Sequence, residues 1–210
     1  MSCIIEEGAV VLFQGDSITD AGRSRESDDD LGRGYAMMTA AWFSAMHPEL
    51  RVRFINRGIG GNAVKDLSAR WQEDCLDLKP TWVSILIGIN DAARRYSRNE
   101  PVLIEDFEST YRGILAKTKD TLNARFVLLE PFVLPIPEDR IQWREDLDPK
   151  IEAVRRLACE FQAVLIPADG IFAQASARRE LGFWAADGVH PSPAGHALIA
   201  RAWLEAVKAL

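Results

Sequence analysis

Short apolar runs alternate with amphipathic stretches along most of this chain. The runs cover residues 10–13, 52–55, 82–87, 126–129 and 164–166. The third, Trp82-Val83-Ser84-Ile85-Leu86-Ile87, is almost wholly apolar, the pattern of a strand buried on both faces. Between the runs, apolar positions recur at helical spacing. Tyr35, Met38, Trp42 and Met46 form one stripe, and Leu103, Phe107, Tyr111 and Ile114 a second. Ile151, Val154, Ala158 and Phe161 form a third, and Ile199, Trp203, Val207 and Leu210 a fourth. The last helix has a start signal, with Ser192 as N-cap and Pro193 at the first helical position.

Strand-helix alternation predicts an α/β fold: a three-layer α/β/α sandwich around a five-stranded parallel sheet with right-handed crossovers. The 210 residues read as a single domain, residues 1–210, without repeat, linker or low-complexity segment. Residues 131–149, rich in proline and charge, read as a long loop of the kind that often borders a binding site.

An apolar share of 48% suffices for one packed core. A net charge of −6 gives no basic footprint for nucleic acid. Asp28-Asp29-Asp30, between Arg25 and Arg33, reads as a solvated loop. No apolar run reaches the ~20 residues of a membrane span. Residues 1–8 carry Glu6 and Glu7 and no basic segment, so they do not read as a secretory signal, and the expected compartment is the cytoplasm. Cys3, Cys75 and Cys159 have neither metal nor redox spacing. Cys159 is expected in the core, Cys75 as structural or half-exposed, and Cys3 as incidental. Three scattered histidines, His47, His190 and His196, offer no metal site, and no cofactor is expected.

The chemistry lies in four short motifs. Gly15-Asp16-Ser17 follows the first strand and puts a serine at its carboxyl end, where open parallel sheets bind ligands. Gly60-Gly61-Asn62 follows the second strand and Gly88-Ile89-Asn90-Asp91 the third. Asp187-Gly188-Val189-His190 precedes the last helix and lets one loop present an acid and an imidazole. Each has a bland alternative: Ser17 as a turn cap, Gly61 as a turn residue, Asn90 as a helix cap and Asp187-Gly188 as a turn dipeptide. A strand order of 2-1-3-4-5 would place Gly61, Ser17 and Asn90 side by side, which turn residues have no need to do. Together they supply a nucleophile, a base, an orienter and oxyanion donors, the parts of acyl transfer. His196, inside the last helix without a nearby acid, reads as structural.

At these residues the chain resembles the SGNH hydrolases, also called the GDSL esterase/lipase family. The resemblance spans the chain from Val10 to the last helix, with Ile18 where the eponymous tetrad has leucine. It implies a flavodoxin-like fold and a metal-free, cofactor-free site. The implied catalytic residues are Ser17, Asp187 and His190. The implied oxyanion donors are the Ser17 and Gly61 amides and the Asn90 side chain. Within the family, the stretches at Asp66-Leu67-Ser68-Ala69-Arg70-Trp71 and Trp82-Val83-Ser84-Ile85 look most like intracellular bacterial acetylxylan esterases.

The expected activity is thus hydrolysis of small acyl esters, an O-acetylated sugar being the expected partner. A lysophospholipase or thioesterase with a longer acyl group is the alternative. A non-enzymatic flavodoxin-like binding module is the third reading. Phe132, Trp143 and Trp184 are candidates for sugar stacking, each with core packing as its rival, and Arg94 is a candidate for the rim of the site. No nucleic-acid or membrane partner is expected, and homo-oligomerisation is left open.

Overall fold

The computed structural model describes residues 3–27 and 29–210. Asp28 of the acidic run, and Met1 and Ser2 of the N-terminal segment, lie outside the described residues. In chain order the elements are β1 (Val10–Gly15), α1 (Ser17–Asp20), α2 (Tyr35–Met46), β2 (Arg53–Asn56), α3 (Val64–Ala69), α4 (Trp71–Asp74), β3 (Trp82–Leu86) and α5 (Ile89–Arg98). There follow α6 (Ile104–Leu122), β4 (Arg125–Leu129), α7 (Arg144–Glu160), β5 (Val164–Ile166), α8 (Ala168–Ser176), α9 (Leu181–Trp184) and α10 (Pro193–Ala206).

The five strands pair in parallel in the order β2-β1-β3-β4-β5. This is the doubly wound order expected from the sequence, and it makes β1, β2 and β3 neighbours. Alternate residues of each strand serve opposite faces. Val11 and Phe13 pack with α2, α8 and α10 on one side, while Leu12, Ile55, Val83 and Ile85 pack with α3, α4, α6 and α7 on the other. Ser84, buried in β3, is satisfied by the Trp203 indole N–H at 3.1 Å, so the tryptophan both fills and pairs.

Several expectations need correction. The buried face of α2 is Tyr35, Ala36, Thr39, Ala40 and Phe43, rotated from the expected stripe, and Trp42 is 61% exposed. Tyr35 and Phe43 are fully buried, with Ala36, Thr39 and Ala40 filling the face between them. Leu103 precedes α6 and Leu210 follows α10, both exposed, whereas the other apolar positions of those stripes are buried or at helix ends.

Residues 131–149 are not a loop throughout. Glu138–Trp143 forms a 3₁₀ segment and α7 begins at Arg144, with Pro149 inside it. Leu147, Ile151, Val154 and Leu157 carry an apolar stripe through the proline, and burial of that stripe outweighs the lost hydrogen bond. Cys159 is exposed, since on α7 it lies beside the buried stripe and not on it. Cys75 is buried, and burial pushes its thiol up to about 12. Asp30 is more than solvated charge, because its carboxylate accepts from the amides of Ser24 and Gly32 and shapes the turn.

Candidate active site

Three strand ends and one loop build the site. β1 ends at Gly15, whose backbone lies so close to Leu86 of β3 and to Thr19 that no side chain fits there. Asp16 then caps α1, its Oδ1 accepting from the Ile18 amide at 2.9 Å. Ser17 is the first residue of α1, so its own amide has no acceptor within the helix.

The Ser17 hydroxyl lies 2.9 Å from Nε2 of His190. Nδ1 of the same ring lies 2.6 Å from Oδ2 of Asp187. The carboxylate accepts at Nδ1, so that nitrogen carries the proton and Nε2 is left bare to accept from the serine. The other oxygen, Oδ1 of Asp187, accepts from the amides of Val189 and His190 at 3.0 and 2.8 Å. Desolvation would raise this acid, but the bonds from the imidazole and the two amides prevail and hold it at about 2. Gly188 forms the turn at a φ of 78°, with the carbonyls of Leu134 and Ile136 packed where a side chain would go. Ser192, the N-cap of α10, accepts from Gly195, so the start of that helix is fixed as its sequence signal implied.

The loop after β2 passes Ser17: a Cβ built on Gly60 would lie 3.8 Å from that of Ser17. Nearly every amide in this loop is committed. Arg57 and Ile59 donate to the carbonyls of Phe13 and Gly15, Gly58 to the Asn56 side chain and Gly60 to Asp20. Asn62 donates to Ile59, Ala63 to Asp66 and Val64 to Asp91. The Gly61 amide is the exception and has no acceptor among the described residues; its φ of 79° suits glycine. Asn90 is the second residue of α5, and its side-chain amide spends one N–H on the Asn62 carbonyl at 3.0 Å. The other N–H remains to donate elsewhere.

Two buried carboxylates, Asp16 and Asp91, lie behind these groups; sequence reading gave Asp16 no more than a turn-forming role and Asp91 none. Desolvation, opposed by the Ile18 amide and His190, raises Asp16 to about 7. Desolvation, opposed by the Val64 amide and Lys150, raises Asp91 to about 6. Both values exceed the ordinary 3.8, so the native state holds more protons than the unfolded chain between that value and neutrality. The stability these groups contribute is present at low pH and is lost as pH rises through about 6 to 7.

His196 works in the opposite sense. Its Nδ1 accepts from the Tyr35 amide, and burial lowers it to about 4, so its contribution grows as pH rises from there towards 6.5. Asp16→Asn keeps the capping oxygen and cannot ionise. The urea midpoint of this variant, relative to wild type, is expected to improve between about pH 4 and about pH 7 and to level off above that, a difference from which His196 cancels. A difference that is constant over that range, or that moves against the variant, would overturn the assignment.

The four candidates for substrate contact fare differently. Phe132 is a core residue, fully buried and stacked on Phe172 with ring centroids 4.0 Å apart, so it is not available to a sugar. Trp143 stacks on Tyr96 at 6.0 Å and carries the Arg140 guanidinium 3.8 Å from its ring centroid. Trp184 lines a 140 Å³ groove with Ile171 and Leu198, between α8 and α10, and its indole donates to the Arg179 carbonyl. Arg94 is held by protein: its Nη2 donates to the Gly61 carbonyl at 3.0 Å and to Asp66 at 2.6 Å. A polar arginine one helical turn after Asn90 was the signal in the sequence; its partners, in another loop, were not readable there.

No helix among the described residues is long and apolar enough to cross a membrane. A doubly wound parallel sheet with a hydrogen-bonded serine, histidine and aspartate above its carboxyl edge defines an ester hydrolase of the flavodoxin-like class. The chain belongs to the GDSL-like lipase/acylhydrolase family, whose model matches residues 13–198. It is 36% identical over 211 residues to an acetylxylan esterase of Geobacillus stearothermophilus, covering 97% of this chain and 95% of that one. The crystal structure of that esterase, Axe2, superposes with a TM-score of 0.89. LAE5, an alpha/beta hydrolase enzyme from the metagenome of Lake Arreo, Spain, is 34% identical with a TM-score of 0.91, covering 100% of this chain and 99% of that one. A GDSL-like protein of Parabacteroides merdae ATCC 43184 is 35% identical over the whole of both chains, with a TM-score of 0.94. The protein is therefore a carboxylic ester hydrolase, and the reading as a non-enzymatic module is set aside.

Proposed function

We propose that the protein removes small acyl groups, acetyl foremost, from carbohydrate hydroxyls, with Ser17, His190 and Asp187 as its catalytic triad. The observation that carries the mechanism is the unbroken relay from the Ser17 hydroxyl through His190 to Asp187, at 2.9 and 2.6 Å. Nε2 of His190 takes the serine proton as Ser17 Oγ attacks the ester carbonyl. Asp187 stabilises the imidazolium so formed. The developing oxyanion is met by the amides of Ser17 and Gly61 and by the free N–H of Asn90. His190 then gives its proton to the departing sugar hydroxyl. Water, activated by the same imidazole, releases the acyl group from Ser17.

The His190 and Asp187 side chains are 55% and 48% exposed, so the site is open on the leaving-group side. An open rim suits a bulky alcohol such as a sugar. The likeness to an acetylxylan esterase along nearly the whole chain supports acetyl as the acyl group. The alternative, a lysophospholipase or thioesterase, keeps the same residues and changes only the acyl length.

Acetate release from acetylated xylo-oligosaccharides, beside a chain-length series of p-nitrophenyl esters, separates the two. Acetyl is expected to be the best p-nitrophenyl substrate, with kcat/KM falling as the acyl chain lengthens. Preference for hexanoyl or longer, with no acetate released from the oligosaccharides, would sink the deacetylase reading.

A further inference from the structure

We infer that Arg94 is a positioning residue that holds the Gly61 loop in register with Asn90, so that two of the three oxyanion donors are set by one helix. The inference rests on the proposed function and adds to it a residue that makes no contact with substrate.

Asn90 and Arg94 lie one turn apart on α5 and so share a face. Both reach the same loop at adjacent residues: Asn90 donates to the Asn62 carbonyl and Arg94 to the Gly61 carbonyl. Between them Asp91, also on α5, accepts from the Val64 amide with both oxygens. The helix thus holds the loop and the start of α3 through three of its side chains, Asn90, Asp91 and Arg94. The Gly61 carbonyl belongs to the same residue as the uncommitted amide. Fixing the carbonyl limits rotation of the peptide units that flank glycine, the residue with the freest backbone.

Asp66 completes the clamp. Its Oδ2 accepts from both Arg94 and the Ala63 amide, so the guanidinium is anchored to the start of α3, just beyond the loop. Desolvation of Asp66 works against ionisation, but the Ala63 amide and Arg94 hold it below the usual carboxylate range, so the clamp is charged at neutral pH. The Arg94 side chain is only 12% exposed, which leaves little of it for a ligand. An oxyanion donor misplaced by about 1 Å can cost about 10²-fold in rate, so a restraint one residue away matters.

The test is steady-state kinetics on p-nitrophenyl acetate and butyrate. Arg94→Ala is expected to lower kcat by about 10- to 100-fold with KM nearly unchanged, by the same factor for both esters. The pH profile of kcat/KM should not move. Arg94→Lys, which keeps the charge on a shorter stem, should recover part of the loss. Asp66→Asn, which retains an acceptor for Ala63, should show a smaller loss of the same kind and carries the test if Arg94→Ala does not fold. A raised KM with unchanged kcat would make Arg94 a substrate contact and overturn the inference. So would wild-type kcat in Arg94→Ala, or in Asp66→Asn where the alanine variant is unfolded. Ser17→Ala is run in parallel: if it retains turnover, the proposed function fails; if it is inactive while the Arg94 and Asp66 variants match wild type, only the clamp fails.

Discussion

Ser17→Ala is expected to lower kcat on a small acetyl ester by about 10⁶-fold while leaving the protein folded. The size follows from the way the triad acts as a unit. Without the hydroxyl, the bare Nε2 of His190 has nothing to deprotonate, and no acyl-enzyme forms. What remains is the oxyanion donors and substrate positioning, which in serine hydrolases leave about 10³–10⁴-fold over the uncatalysed rate. The fold has little at stake in the side chain. The lost hydrogen bond runs to an exposed histidine, and the cap of α1 is the Asp16 side chain, which the substitution leaves in place. Melting temperature should therefore stay within a few degrees of wild type. A fluorophosphonate probe should label the wild-type protein at residue 17 and fail to label the variant. Substantial residual turnover, or undiminished labelling, would show that another residue is the nucleophile.

Asp187→Asn is expected to lower kcat by about 10⁴-fold with the site geometry preserved. The two oxygens of Asp187 do different work. Oδ1 accepts from two backbone amides and Oδ2 faces the imidazole. In asparagine the carbonyl oxygen must stay with the amides, since an NH₂ there would leave both amides without an acceptor. The NH₂ then faces Nδ1 and donates to it. This forces the proton onto Nε2, which can no longer accept from Ser17. The variant thus has a correctly placed imidazole in the wrong tautomer. Its loss should ease at high pH less than a simple charge effect would predict. Activity within tenfold of wild type would exclude Asp187 as the orienting acid.

What could be read in advance follows physical lines. β3 was legible because a strand covered on both faces is apolar nearly throughout. The strand order followed from where the motifs fell, since Ser17, Gly61 and Asn90 gain from adjacency only if β1, β2 and β3 are neighbours. The inner face of α2 was misjudged because almost every position of that helix is apolar, so spacing alone could not choose between the Tyr35–Trp42 stripe and the Tyr35–Phe43 face. Pro149 misled because local propensity yields to an apolar stripe that continues past it. Phe132 could not be told from a ligand-facing aromatic, because its partner Phe172 lies in a different element. The buried pair Asp16 and Asp91 and the Arg94–Asp66 clamp escaped notice for one reason: each is defined by contacts across the fold, and a sequence does not print them.

The bond between Ser17 and His190 joins residues 173 positions apart. β1 and α1 carry one partner, and the turn before α10 carries the other. A nascent chain can therefore complete most of its sheet and still have a serine with no base beside it. Under the proposed mechanism, hydrolytic competence arrives only when the segment leading into α10 docks. Non-local contacts of this kind form late and slowly because the long intervening loop must close first. With Ser17 and His190 in their proposed roles, reactivity at Ser17 is a chronometer for the closing step of folding, and local undocking of one terminal helix would silence the enzyme while the sheet stays intact.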